Sequence, residues 1–186
     1  MIPVARLVAA IFASSMFVGP AFAEVAVDNK VDALCRKDLH KTSSALVSRL
    51  MNEARKCHTR RIDGRIPEAT DCNDDANAPS AVGVSREQDK VRRRGDKSCG
   101  GGSRTPASDP EVLGYASCPA PCDAVPIDNS YDGVVACLLC QAETLAETAS
   151  ADAYGTPALP LDRDQDRCQN RVATELRSYT LNRMKV

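Results

Sequence analysis

The stretch GVVACLLCQAETLAE, Gly133 to Glu147, sets two cysteines inside an apolar helical pattern. Val134, Val135, Leu138, Ala142, Leu145 and Ala149 recur at the three-and-four spacing of one helix face. Cys137 and Cys140 therefore lie on the same side of one helix. Gly155 and Pro157 end the pattern, which predicts a helix over about 132–153. Two cysteines so placed suit a redox motif, half of a metal site, or two staples to other parts of the chain. The rest of the sequence weighs these readings.

Working outward, two more segments show helical spacing. Between Asn29 and His58, apolar residues fall at Val31, Leu34, Cys35, Leu39, Leu46, Leu50, Ala54 and Cys57. Asp28 is placed to cap the start of this helix, and Gly64 lies past its end. A last helix is expected over 164–186, with Cys168, Val172, Leu176 and Tyr179 as its stripe. The first and last helices resemble each other loosely, as a weak internal repeat whose second copy is truncated; truncation would account for an odd cysteine count. The intervening segment, 59–131, is rich in turn residues. Within it Ser85 and Gln88 form a capping box for one short, marginal helix that contributes only Val91 and needs Cys99 to hold it. The expected fold is mainly α: a disulfide-stapled helical bundle of about three long helices with a loop-rich middle segment.

The N-terminus reads as a secretory signal peptide over residues 1–23. Arg6 supplies the positive end, Leu7 to Val18 the apolar stretch, and Ala21-Phe22-Ala23 the cleavage signal. That stretch is too short to span a bilayer, and no later segment is long enough to do so. The mature part, 24–186, is expected to be a single Cys-rich helical domain, secreted or periplasmic. All three phenylalanines leave with the signal and the chain has no tryptophan, so the core must be aliphatic and thin. All nine cysteines remain. A thin core with many cysteines in an oxidising compartment points to disulfides as the main staple.

The disulfide candidates are Cys35, Cys57, Cys72, Cys99, Cys118, Cys122, Cys137, Cys140 and Cys168. Cys35 and Cys168 are the natural partners for Cys137 and Cys140. Cys57 to Cys72 would close a short loop, and Cys99 with Cys118 or Cys122 would tie the glycine-rich linker. Spacing alone cannot settle the connectivity. One cysteine is left over, or joins a second chain as a dimer.

The alternative is a zinc site. Cys118 and Cys122, then Cys137 and Cys140, make two knuckle-like pairs. Oxidation competes with that reading in an exported chain. A third reading makes Cys137 and Cys140 a thiol-disulfide redox pair. Against it, no βαβ pattern surrounds them, both intervening residues are leucine, and burial raises a thiol pKa. Two aspartate-rich stretches, 127–133 and 161–167, lack the twelfth-position glutamate of a calcium loop.

Catalysis finds little footing. No G-x-S-x-G, H-E-x-x-H or phosphate-binding glycine loop occurs. Of the two histidines, His40 points off the apolar stripe, and His58 lies at a helix end among Arg and Lys. The Arg92–Arg94 run and the Arg94-Gly95-Asp96 tripeptide read as a solvated charged loop. Without interleaved aromatics the run gives no case for nucleic acid.

Lys56-Cys57, Asp71-Cys72, Cys99-Gly100-Gly101-Gly102, Cys137-Leu138-Leu139-Cys140, Tyr154-Gly155-Thr156-Pro157 and Arg167-Cys168-Gln169 together resemble uncharacterised cysteine-rich secreted proteins and repeat modules of bacteria. The resemblance covers most of Cys35 to Val186 and implies a stapled helical module, with no activity attached. The expected role is an exported structural or interaction module, not an enzyme. It would have no cofactor, an unknown protein or surface partner, no nucleic acid and no membrane span.

Overall fold

The computed structural model describes residues 29–100, 105–155 and 161–184. The signal segment, 1–23, lies outside the described residues, as does Asp28. Four α-helices and one 3-10 turn make up the regular structure, and no strand occurs among the described residues. The helices are α1 (Lys30–Ile62), α2 (Ala81–Ser98), α3 (Tyr131–Tyr154) and α4 (Arg163–Arg183), with the 3-10 turn at Asp75–Asn77. The stapled helical bundle expected from sequence is the observed fold, with four helices in place of about three.

Helix α1 is the hub: α2, α3 and α4 all pack against it. Its start is capped by Asn29, whose Oδ1 accepts from the Asp32 backbone N–H at 2.8 Å. Asp32 is buried and also accepts from the Ser108 N–H and hydroxyl, each at 2.8 Å, which ties the 105–110 loop to the first turn. The far end runs to Ile62, a full turn beyond His58, and closes at Gly64 with φ +69°. That conformation suits glycine because it has no Cβ. Leu39, Leu46, Val47, Val91 and Val134 are the best-buried aliphatic residues. The described residues hold no Phe or Trp, so their core is aliphatic.

Within the loop-rich 59–131 segment, α2 is the helix expected there, longer than the short, marginal one read from sequence. It spans 18 residues and starts at Ala81, so Ser85 and Gln88 lie inside it and form no capping box. Val84, Val91 and Gly95 line its buried face at helical spacing. The periodicity was incomplete in sequence because one of the three is a glycine. A Cβ at Gly95 would overlap the Val135 side chain, so its absence lets α2 approach α3 closely. Gln88 adds a side-chain hydrogen bond to Glu143 of α3 at 2.8 Å. The Arg94-Gly95-Asp96 tripeptide is consequently helical, with Gly95 buried, and Arg94 pairs with Asp38 at 3.6 Å.

Ser130 caps α3, its hydroxyl accepting from the Gly133 N–H. Asp162 caps α4 in a complete capping box with Gln165. Helix α4 packs against α1 and α3 through Ala173 and Thr180, with Leu176 half-buried. The stripe expected for this helix is thus rotated: Cys168 is exposed, Val172 is 49% exposed and Tyr179 61%. Among the described residues no helix is long and apolar enough to cross a membrane.

Candidate functional site: an acidic cavity between two disulfides

Eight of the nine cysteines are paired within the chain, as Cys35–Cys99, Cys57–Cys72, Cys118–Cys137 and Cys122–Cys140. Cys168 is the free one. Cys57–Cys72 matches the short loop closure read from sequence. The remaining partners differ. Cys137 and Cys140 do not reach Cys35 and Cys168. They clamp the Cys118–Cys122 segment along the first half of α3, because the nearby loop reaches that face at helix spacing. Cys99 pairs with Cys35, not with Cys118 or Cys122, because α2 ends beside the first turns of α1.

The four cysteines of the zinc reading do converge, but as two disulfides, which leaves no thiolate in the group. No set of three or more His, Cys, Asp and Glu among the described residues is arranged to hold a metal. The redox reading needs Cys137 bonded to Cys140, and each is bonded elsewhere.

The disulfides frame a cavity of about 280 Å³ between the second half of α1, the 72–78 loop and the middle of α3. Cys72 lines one side and Cys140 the other. The Cys57–Cys72 bridge holds the loop against α1, and Cys122–Cys140 stiffens the α3 wall. Among the described side chains, the carboxylates of Glu53, Asp74, Glu143 and Glu147 line the cavity, and no Lys, Arg or His does. Leu50, Ala54, Ala78 and Ala146 supply an apolar wall.

Glu53 is the distinctive member, with a side chain only 1% exposed. Its Oε1 pairs with Arg49 at 3.1 Å and with Lys56 at 2.8 Å. Its Oε2 is buried without a hydrogen-bond partner. A buried carboxylate oxygen in that state carries a desolvation cost that a donor would relieve. None of these carboxylates was singled out in the sequence. One signal was present: Glu53 interrupts the apolar stripe Leu46, Leu50, Cys57 at the register of a buried residue.

His58, further along α1 and turned to another side of it, is fully buried, with the helix continuing past it to Ile62. Its ring stacks on Tyr154 with centroids 4.0 Å apart. Arg61 donates to Nδ1 at 3.0 Å, so the Nε2–H donates to Asn73 Oδ1, also at 3.0 Å. Burial lowers the His58 pKa below 6.5, outweighing the Asn73 hydrogen bond, and the Arg61 charge lowers it further. The Tyr154 hydroxyl is pushed well above its ordinary range, chiefly by burial. This neutral His–Tyr–Asn cluster locks the 72–78 loop in place. Both ring nitrogens are hydrogen-bonded within the protein. His40, the other histidine, is exposed on α1.

No family model, curated protein or solved structure matches this chain.

Proposed function

We propose that this protein is an exported, non-catalytic structural or interaction module held together by disulfides. The observation that carries the reading is the pairing of eight cysteines within one chain, leaving a single exposed thiol. Four bridges are stable in an oxidising compartment and not in a reducing one. That supports export, secreted or periplasmic, in keeping with the signal-like N-terminus.

The staples leave rigid helical faces for a protein or surface partner. Cys168 lies exposed on α4 beside Val172, so a disulfide-linked dimer would form through this residue. The test is intact mass of exported protein with and without reductant, followed by alkylation and peptide mapping. The expected result is four bridges with the observed connectivity and alkylation at Cys168 alone, or a Cys168-linked dimer. Three or more free thiols with bound zinc would overturn the reading and favour the metal alternative.

A further inference from the structure

We propose that His58 is an acid-sensitive latch: a proton taken up at Nδ1 expels the Arg61 guanidinium and frees the 66–70 segment, while the helices stay packed. The two ring nitrogens carry different roles. Arg61 has only donors to offer, and its Nη2 donates to Nδ1 at 3.0 Å. Nδ1 therefore holds a lone pair, and Nε2 holds the proton that Asn73 Oδ1 accepts at 3.0 Å. Only the Nδ1 lone pair can take up a further proton from solvent. Once it does, an N–H and a second positive charge face a guanidinium that has no acceptor. The contact turns from attractive to repulsive, and one of the two cations must move.

The surroundings select Arg61 as the group that moves. The His58 ring lies on Tyr154, with centroids 4.0 Å apart and planes 7° from parallel, and an aromatic face attracts a cationic ring more than a neutral one. The Nε2–H still donates to Asn73 in the charged form, and more strongly. Arg61 is less firmly held. Its Nε is buried without a hydrogen-bond partner, which carries a desolvation cost that leaving would relieve. Its other hydrogen bond runs from Nη1 to the Thr70 carbonyl at 3.3 Å.

Losing Arg61 unfastens the segment that ends at Thr70. Pro67, Glu68 and Ala69 are exposed, and Ile66 and Thr70 are half-buried, so little packing replaces the lost tie. The two ends stay fixed, by the Arg65 N–H donating to the Arg60 carbonyl at 2.8 Å and by the Cys57–Cys72 bridge. Burial and the Arg61 charge oppose protonation of the ring, whereas Asp71, exposed on the loop, favours it. Arg55 of α1 and Asp166 of α4 act on Tyr154, across the stack. The balance keeps the latch shut at neutral pH and leaves it to open in acid.

The test follows the correctly bridged, 15N-labelled protein by NMR from about pH 7.5 down to about pH 4. Ring nitrogen shifts report the tautomer and proton uptake of His58, and backbone relaxation reports local order. The Nε2–H tautomer is expected at neutral pH. On acidification the order parameters of Ile66 and 68–70 are expected to fall from about 0.85 to below about 0.6, with the midpoint of the ring, while α1 and α3 stay rigid. His58→Gln, which cannot titrate, is expected to keep the segment ordered throughout. Arg61→Gln, a half-buried change that removes the charge, is expected to move the ring midpoint to higher pH, and it serves if His58→Gln does not fold. An Nδ1–H tautomer, no proton uptake above about pH 4, or a ring that titrates while 66–70 stays ordered would overturn the proposal. So would loss of order in α1 and α3 together with the segment, an unchanged acid response in His58→Gln, or an unmoved midpoint in Arg61→Gln.

Discussion

Removal of the Cys35–Cys99 bridge is expected to destabilise the fold more than removal of Cys57–Cys72. The two bridges close loops of very different length, with sequence separations of 64 and 15 residues. In the chain-entropy account the longer loop contributes about 4 kcal/mol and the shorter about 3 kcal/mol. Their difference, 1.5RT times the logarithm of the length ratio, is about 1.3 kcal/mol. All four sulfurs sit in buried positions, so the cavity left by alanine is similar in the two cases and largely cancels. The comparison is made as Cys35→Ala/Cys99→Ala against Cys57→Ala/Cys72→Ala, both in a Cys168→Ser background to prevent mispairing. Urea titration reads the difference directly, and a thermal scan should show the first pair melting about 3–5 °C below the second. A second readout is local. Helix α2 buries only Val84, Val91 and Gly95 and is tied to α1 by this bridge at its C-terminal end. Its amides should therefore lose hydrogen-exchange protection ahead of those of α1 and α3. A smaller loss for the Cys35–Cys99 pair than for Cys57–Cys72, or unchanged protection in α2, would refute the reasoning.

Two further outcomes are expected. The His58 pKa is depressed in the folded state, so the unfolded chain takes up the proton first as pH falls. Folding stability is therefore full above about pH 6.5 and declines below it by up to about 1.4 kcal/mol per pH unit until the folded-state value is passed. Urea titrations from about pH 7.5 to about pH 5.5, roughly one unit either side of the ordinary histidine value, check this, and a flat profile, or the same slope in His58→Gln, would count against it. Gly95→Ala is expected to cost about 1–3 kcal/mol through overlap with Val135, despite the higher helix propensity of alanine. A neutral or stabilising result in chemical denaturation would mean that α2 and α3 are not so closely packed, whereas partial recovery in Gly95→Ala/Val135→Ala would support the contact.

Much of the architecture was legible because helix periodicity is local. The α1 stripe through Leu39, Leu46, Leu50 and Cys57 faces the core as its spacing requires, although Leu34 at its start is 39% exposed. The α2 segment read as only a short, marginal helix because its buried face uses valine, valine and glycine among many charges. Its mean composition is polar, and only docking on α1 and α3 makes it a stable helix. On α4 the apolar residues were found and the wrong ones were placed inward. Ala173 and Thr180 are small enough to let the helix lie close, and the bulkier Val172 and Tyr179 are left outside.

The candidate site was less legible still, because its parts come from three separated segments. Glu53, Asp74, Glu143 and Glu147 look like ordinary surface acids until the Cys57–Cys72 and Cys122–Cys140 bridges bring their backbones around one space. His58 read as a charged helix end because nothing local shows that α1 continues past it and that Tyr154 covers its ring.

The amino-acid sequence by itself determined that the chain would be helical, aliphatic in its core and dependent on cysteines. Those properties follow from residue spacing and from the absence of Trp throughout and of Phe beyond residue 22. Only the tertiary structure decided which cysteines meet, which face of α4 turns inward, and that one carboxylate oxygen of Glu53 is buried without a donor. Periodicity specifies a face one helix at a time, whereas pairing and burial depend on how several helices share the same space.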